Sequence, residues 1–159
     1  MKKSKKYNLD IDSTSVAMEA AVSYGGGLHI VDRNDLQNRH TFLKVVREGL
    51  AHHELFTLME VAELHIEEMA KILHITSRTI RRLDENEPLN IDISERVLSI
   101  INLYRLGVDA FGDLGIFNTW MRRSIKGLGD VTPVSLLDTS VGIMIVREEL
   151  DRLMHGVYS

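Results

Sequence analysis

Glu68-Met69-Ala70-Lys71-Ile72-Leu73-His74-Ile75-Thr76-Ser77-Arg78-Thr79-Ile80-Arg81-Arg82 is the stretch that decides the fold. Ile66, Met69, Ala70 and Leu73 recur at i, i+3, i+4 and i+7, which predicts one apolar face of a helix. Thr76 then offers a side-chain oxygen at the N-cap of a second helix. Ala70 is small where the two helices would cross, and Leu73, Ile75 and Ile80 are placed to fill the wedge between them. Two short helices on a tight turn, the second carrying arginines, is the layout of a helix-turn-helix, whose second helix enters the DNA major groove. The candidate DNA-binding residues are therefore Thr76, Ser77, Arg78, Thr79, Arg81 and Arg82, within reach of base edges or phosphates. Two features count against DNA. His74 holds a turn position that is glycine in many such motifs, so it must accept a strained backbone or alter the turn. The positive charge of Lys71, Arg78, Arg81 and Arg82 is also offset by Glu67, Glu68 and Asp84.

Working outward, helical periodicity begins near Arg39, with Phe42, Val46 and Leu50 on one face and Gly49 helping to stop the helix. Leu55, Leu58, Met59 and Ala62 form the next face. Upstream, residues 1–38 read as an N-terminal arm or linker, partly disordered. They hold a lysine-rich start, a Val16–Val22 run able to make two helical turns, and the breaker Gly25-Gly26-Gly27. Downstream, Pro88 sits in a polar loop, and Asp92 with Glu95 reads as the capping pair of a long helix. Its stripe is Ile93, Val97, Ile100, Ile101, Tyr104, Val108 and Phe111, with a kink or end at Gly107 and a stop by Gly112-Asp113. Asp113 caps a following helix with Ile116, Phe117, Trp120 and Met121 inward. Thr132-Pro133 opens a short helix. Asp138-Thr139 opens the last one, with Ile143, Val146, Leu150, Leu153 and Met154 on one face and Gly156 at its end. No segment reads as a strand. The expectation is an all-α chain, with a helix-turn-helix domain over 39–91 and a helical C-terminal domain over 92–159.

Composition narrows the chemistry. At 159 residues with 44% hydrophobic content the chain is long enough to bury a core without staples. It has no cysteine, which excludes disulfides, thiolate nucleophiles and cysteine zinc sites. A net charge of -4 means that any DNA contact must concentrate positive charge locally. No apolar run approaches the ~20 residues of a membrane span, and no apolar segment follows the basic start as in a secretory signal. The expectation is a cytoplasmic protein with no membrane partner. His53-Glu54 lacks the second histidine of a zinc-protease helix, Thr57 standing there, and adjacent His52 and His53 point about 100° apart. Gly25-Gly26-Gly27 has no following Gly-Lys-Ser/Thr, and Gly127-Leu128-Gly129 lacks a third glycine, so neither reads as a nucleotide loop. Glu148 and Glu149 beside Arg147 and Arg152 read as a salt-bridged helix face. No nucleophile–base–orienter set is evident, so no catalytic site, metal or cofactor is expected.

From about Thr41 to Ser159 the chain resembles the Xre/ParS/MbcA-type antitoxins, partners of RES-domain toxins. The resemblance is carried by Val46-Arg47-Glu48-Gly49-Leu50, Ile75-Thr76-Ser77-Arg78-Thr79-Ile80-Arg81-Arg82 and Ser94-Glu95-Arg96. It continues through Phe111-Gly112-Asp113, Trp120-Met121-Arg122-Arg123, Leu128-Gly129, Thr132-Pro133, Leu136-Leu137-Asp138-Thr139, Gly142 and Gly156-Val157-Tyr158-Ser159. The order and spacing of these pieces, rather than any one of them, carry the match. The chain departs from the pattern in one loop, with Ser124-Ile125 where Pro-Asn is frequent and Asp130 where a second glycine often follows. The resemblance implies an antitoxin of a bacterial type II toxin–antitoxin system. Its N-terminal domain would dimerise or bind operator DNA, giving a homodimer within a larger complex. Its C-terminal domain would bind a RES-domain toxin similar to ADP-ribosyltransferases, which consumes NAD+. Arg147, Arg152, Gly156, Val157, Tyr158 and Ser159 would be the toxin-binding residues, the tail blocking the toxin's active site. The rival reading is a helix-turn-helix transcriptional regulator with no toxin partner.

Overall fold

The computed structural model describes residues 36–156, so the expectations for the lysine tail, the Val16–Val22 run, the triple glycine and Val157, Tyr158 and Ser159 lie outside the described residues. Among the described residues there are α-helices and no strand. The helices are α1 Leu36–Glu48, α2 His52–Val61, α3 Ile66–Ile72, α4 Ser77–Arg81, α5 Ile91–Phe111, α6 Leu114–Met121 and α7 Ser140–His155. Two 3-10 turns, Lys126–Leu128 and Pro133–Leu136, lie between α6 and α7. A single antiparallel bridge, Ile125 with Val131, closes the loop around the first turn. The all-α expectation is met.

Helix α5 is the element on which the others pack. It touches α1, α2, α6 and α7. Ile93, Val97, Ile100 and Tyr104 of the expected stripe are buried, but so are Leu98, Leu103 and Leu106. Burial on several sides is what a helix at the centre of a bundle requires. Ser94 shows how it is seated. Its hydroxyl donates to the Leu89 carbonyl at 3.0 Å and accepts from Leu50 N at 3.0 Å, while Leu89 N donates to the Leu50 carbonyl at 2.8 Å. These bonds satisfy the buried polar groups where the chain leaves α1 and enters α5.

They also explain a correction. The N-cap of α5 is Asn90, whose Oδ1 accepts from Ile93 N at 2.9 Å, and not Asp92. With Leu89 buried and stitched to Leu50, the helix starts too early for Asp92 to cap it. Asp92 lies instead in the first turn, where its carboxylate meets the positive end of the helix dipole. Gly107 does not end α5. The helix runs to Phe111 and stops at Gly112 in the left-handed conformation, φ 71°. Gly107 is glycine because the Phe117 ring lies against it, and a Cβ there would overlap that ring.

Phe117 is fully buried and packs edge-on to Tyr104 at 5.0 Å, beside Trp120 at 5.8 Å and Phe111 at 5.7 Å. Asp113 caps α6 as expected, its Oδ1 accepting from Ile116 N at 2.8 Å. Ile116 is not inward: it is 56% exposed, and Asn118 is buried in its place because Phe117, Asn118 and Met121 define the packed face. On α7, Ile143, Val146 and Leu150 are buried, whereas Leu153 and Met154 are exposed, as is every described residue from Arg152 on. The expected stripe therefore stops where the helix outruns the bundle.

Gly107→Ala tests this packing. In a solvent-facing helix the change would stabilise by up to about 1 kcal/mol. Here the added methyl must displace a buried ring, and a net loss of about 1–3 kcal/mol is expected in chemical denaturation.

Candidate nucleic-acid and protein interfaces

Helices α3 and α4 and the turn between them form a helix-turn-helix. Met69 and Ile80 are fully buried, with Ala70 and Leu73 close behind, so the wedge residues do fill the crossing. Thr76 caps α4 through Oγ1, which accepts from Thr79 N at 3.0 Å and lies 2.9 Å from the Thr79 hydroxyl. His74 takes the left-handed conformation, φ 55°. The turn closes with Ile75 N donating to the Ala70 carbonyl at 3.0 Å. Thr76, Arg78, Thr79, Arg81 and Arg82 are exposed and Ser77 is half-buried, so the candidate DNA-binding residues sit together on and beside one short helix. Arg81 Nη2 lies 3.4 Å from Glu67 Oε1, both side chains exposed. A phosphate would have to compete with that weak pair.

Contacts that sequence reasoning did not single out hold this unit in place. Arg122, just past α6, donates from Nη1 to Glu68 Oε1 at 3.0 Å and from Nη2 to the Glu63 carbonyl at 2.6 Å. Glu68 Oε2 in turn accepts from His65 N at 2.9 Å, satisfying a donor at the start of α3. The hydrogen bond from Arg122 holds the Glu68 carboxyl below its usual range, against a smaller opposing effect of burial. Asn118 Nδ2 donates to the Val61 carbonyl at 2.9 Å within the core. His74 Nε2 lies 2.6 Å from the Asp138 carbonyl oxygen, ahead of α7. Sequence alone places His74 in the turn, Glu68 among the offsetting charges and Arg122 in the family resemblance, but gives none of these contacts.

The expected toxin-binding residues fall differently. Arg147 is half-buried on α7 and lines a groove of about 360 Å³ whose floor includes Phe42, Leu103, Leu106 and Met144. Arg152 is 53% exposed and ion-paired with Glu149, one turn back. Gly156 ends α7 in the left-handed conformation, φ 62°. The arginines and Gly156 thus lie along one helix, while the proposed stopper residues follow it outside the described range. A feature the sequence reading missed is an exposed apolar stripe, Val141 at 61%, Met144 at 45% and Ile145 at 37%. The signal was present. Ile143-Met144-Ile145-Val146 occupies four successive helical positions, and a helix 100° per residue cannot turn all four inward.

In the loop that departs from the family pattern, Asp130 stands where a second glycine is frequent. Gly129 and Asp130 both adopt positive φ, 84° and 61°. Ser124 Oγ donates to the Asp130 carbonyl at 2.7 Å and holds the turn. Among the described residues no group of three His, Cys, Asp or Glu side chains is placed to hold a metal ion, and no helix is long and apolar enough to cross a membrane. His52 packs on Phe56, ring centroids 4.6 Å apart.

The fold and its surfaces thus define an all-helical, helix-turn-helix protein with an unpartnered apolar stripe in its C-terminal half. Residues 42–102 match the model of the antitoxin Xre-like helix-turn-helix domain, and residues 106–156 match that of the antitoxin Xre/MbcA/ParS C-terminal toxin-binding domain. The chain belongs to the Xre/MbcA/ParS antitoxin family. It is 38% identical over 94 residues to an antitoxin Xre of Yersinia enterocolitica, an alignment covering 58% of this chain and 64% of the relative. It is 38% identical over 80 residues to an antitoxin Xre of Photorhabdus laumondii, covering 50% and 54%. A Prs ADP-ribosylating antitoxin of a Sphingobium species is 28% identical over 127 residues, 72% of this chain and 79% of that one. The chain thus spans under two thirds of the length of the Yersinia and Photorhabdus relatives. The two matched regions meet inside α5.

The Arg122–Glu68 clasp predicts a pH dependence. A depressed carboxyl contributes stability above its unfolded value, near 4.5, that is lost as pH falls through the lower folded value. The stability gap between the native chain and Glu68→Gln, followed by urea denaturation, should be widest at neutral pH and shrink toward pH ~3.

Proposed function

We propose that this chain is the antitoxin of a type II toxin–antitoxin pair. In this reading it neutralises a RES-domain, NAD-consuming toxin and represses its own operon through α4. The observation that carries it is the exposed Val141, Met144 and Ile145 stripe inside the region that matches a toxin-binding domain, on the same body as an arginine-bearing helix-turn-helix. Exposed apolar side chains at i, i+3 and i+4 are the anchors a helix offers to a partner's groove. ADP-ribosylation, the chemistry in the name of the Sphingobium relative, draws on NAD+ and supports an NAD-consuming partner.

In this reading α7 delivers the inhibitory end. Arg147 and Arg152 flank the approach, and Gly156 turns the chain out of the helix. Tyr158 then supplies large apolar area with a hydroxyl, a combination suited to filling a pocket. The body itself acts by occlusion and needs no chemistry or cofactor of its own. It works in the cytoplasm, as a homodimer within a larger complex with its toxin.

Three measurements test the reading. The product of the neighbouring gene should co-purify with the full chain, and Met144→Asp combined with Ile145→Asp should weaken that complex by at least about tenfold, the scale of a buried apolar anchor. Absence of any such partner would leave the regulator without a toxin. Removing Val157 to Ser159 should restore toxicity in a co-expression growth assay while the complex persists, and unchanged protection would reject the stopper. Arg78→Ala and Arg82→Ala should each weaken binding to the upstream DNA across sequences and lower the salt slope by about one. Gel shifts unchanged in both variants would move DNA contact elsewhere.

A further inference from the structure

His74 stands where glycine would relax the turn, and its side chain reaches out of the helix-turn-helix to the Asp138 carbonyl at 2.6 Å. A carbonyl oxygen only accepts, so Nε2 carries the proton and donates. On the receiving side there is little slack. Thr139, next to Asp138, caps α7 by accepting from Gly142 N at 2.9 Å, and its carbonyl accepts from Ile143 N at 3.0 Å. Gly142 is itself pressed on the second 3-10 turn, where a Cβ would overlap the Leu136 carbonyl. The start of α7 and the Asp138 carbonyl therefore move together.

On the donating side the turn is equally tight. His74 N donates to the Lys71 carbonyl at 3.2 Å and Ile75 N to the Ala70 carbonyl at 3.0 Å, with the Thr76 cap next in the chain. The His74 bond thus joins the residue before the α7 cap to the turn that leads into α4. The exposed Val141, Met144 and Ile145 stripe occupies the first two turns of that same α7.

We propose that His74 is a positioning residue that couples the α7 stripe to DNA reading by α4, so that occupancy of one surface changes the affinity of the other. The coupling rests on the DNA- and partner-binding reading above. It is reciprocal, because each ligand biases the same pair of elements. It also accounts for a histidine in a left-handed turn: the backbone conformation that glycine would hold freely is maintained here by a bond only a long side chain makes.

The test is amide hydrogen exchange on the full chain, with and without a duplex of the DNA upstream of its own coding sequence. In the native chain the duplex should slow exchange at residues 77–81 and also, by about fivefold or more, the low end of measured couplings, at Gly142 and Ile143. His74→Gly keeps the turn without strain and removes the bond. It should retain slowing at 77–81 and lose it at Gly142 and Ile143. His74→Gln, strained but long enough to donate, should restore it, an order opposite to that expected from backbone strain alone. Slowing confined to 77–81 in the native chain, or slowing at Gly142 that survives His74→Gly, would overturn the coupling. No slowing at 77–81 would instead refute DNA reading by α4 and take the coupling with it.

Discussion

The structure depends on a single helix serving two halves at once. α5 packs against α1 and α2 of the N-terminal half and against α6 and α7 of the C-terminal half. The family regions 42–102 and 106–156 accordingly meet within α5, not at a linker. Close packing makes the sharing strict, as Gly107 under the Phe117 ring illustrates. The helix-turn-helix surface and the exposed α7 stripe are thereby built on one core.

A second constraint is local. Glu63, His74 and Asp130 hold positive φ without being glycine, at 52°, 55° and 61°. Each corner is tied by a hydrogen bond of its own. Arg122 grips the Glu63 carbonyl, His74 reaches the Asp138 carbonyl, and Ser124 holds the Asp130 carbonyl. Left-handed conformations of this kind cost on the order of 1 kcal/mol and persist where surrounding contacts over-determine them. Two of the three ties cross from the C-terminal half to the helix-turn-helix. The corners around the helix-turn-helix are thus set partly by residues far away in sequence.

Much of this was legible in the amino-acid order. Helical periodicity, the Thr76, Asp113 and Thr139 caps, and the stops at Gly49, Gly112 and Gly156 are short-range signals, and they were read correctly. What failed was long-range. Asp92 looked like a cap because its local pattern is right, but Leu89 pinned to Leu50 starts the helix earlier. Ile116, Leu153 and Met154 had the correct period and the wrong environment, since no element lies over them. The clasps of Arg122, Asn118 and His74 have no periodic signature, because their partners are backbone carbonyls or a single carboxylate brought close only by folding. The α4 arginines were visible from the sequence. The α7 stripe was hidden by an apolar run that serves both faces of its helix.

The central claim, that the helix-turn-helix half and the C-terminal half are one cooperative body around α5, has a direct test in urea unfolding of the full chain. Trp120, the single tryptophan, stacks on Phe117 and reports the C-terminal half. Far-ultraviolet circular dichroism reports all the helices. The account predicts coincident transitions by the two probes, as for a two-state domain. A tryptophan transition separated from a second loss of helix would show two independent halves and contradict it.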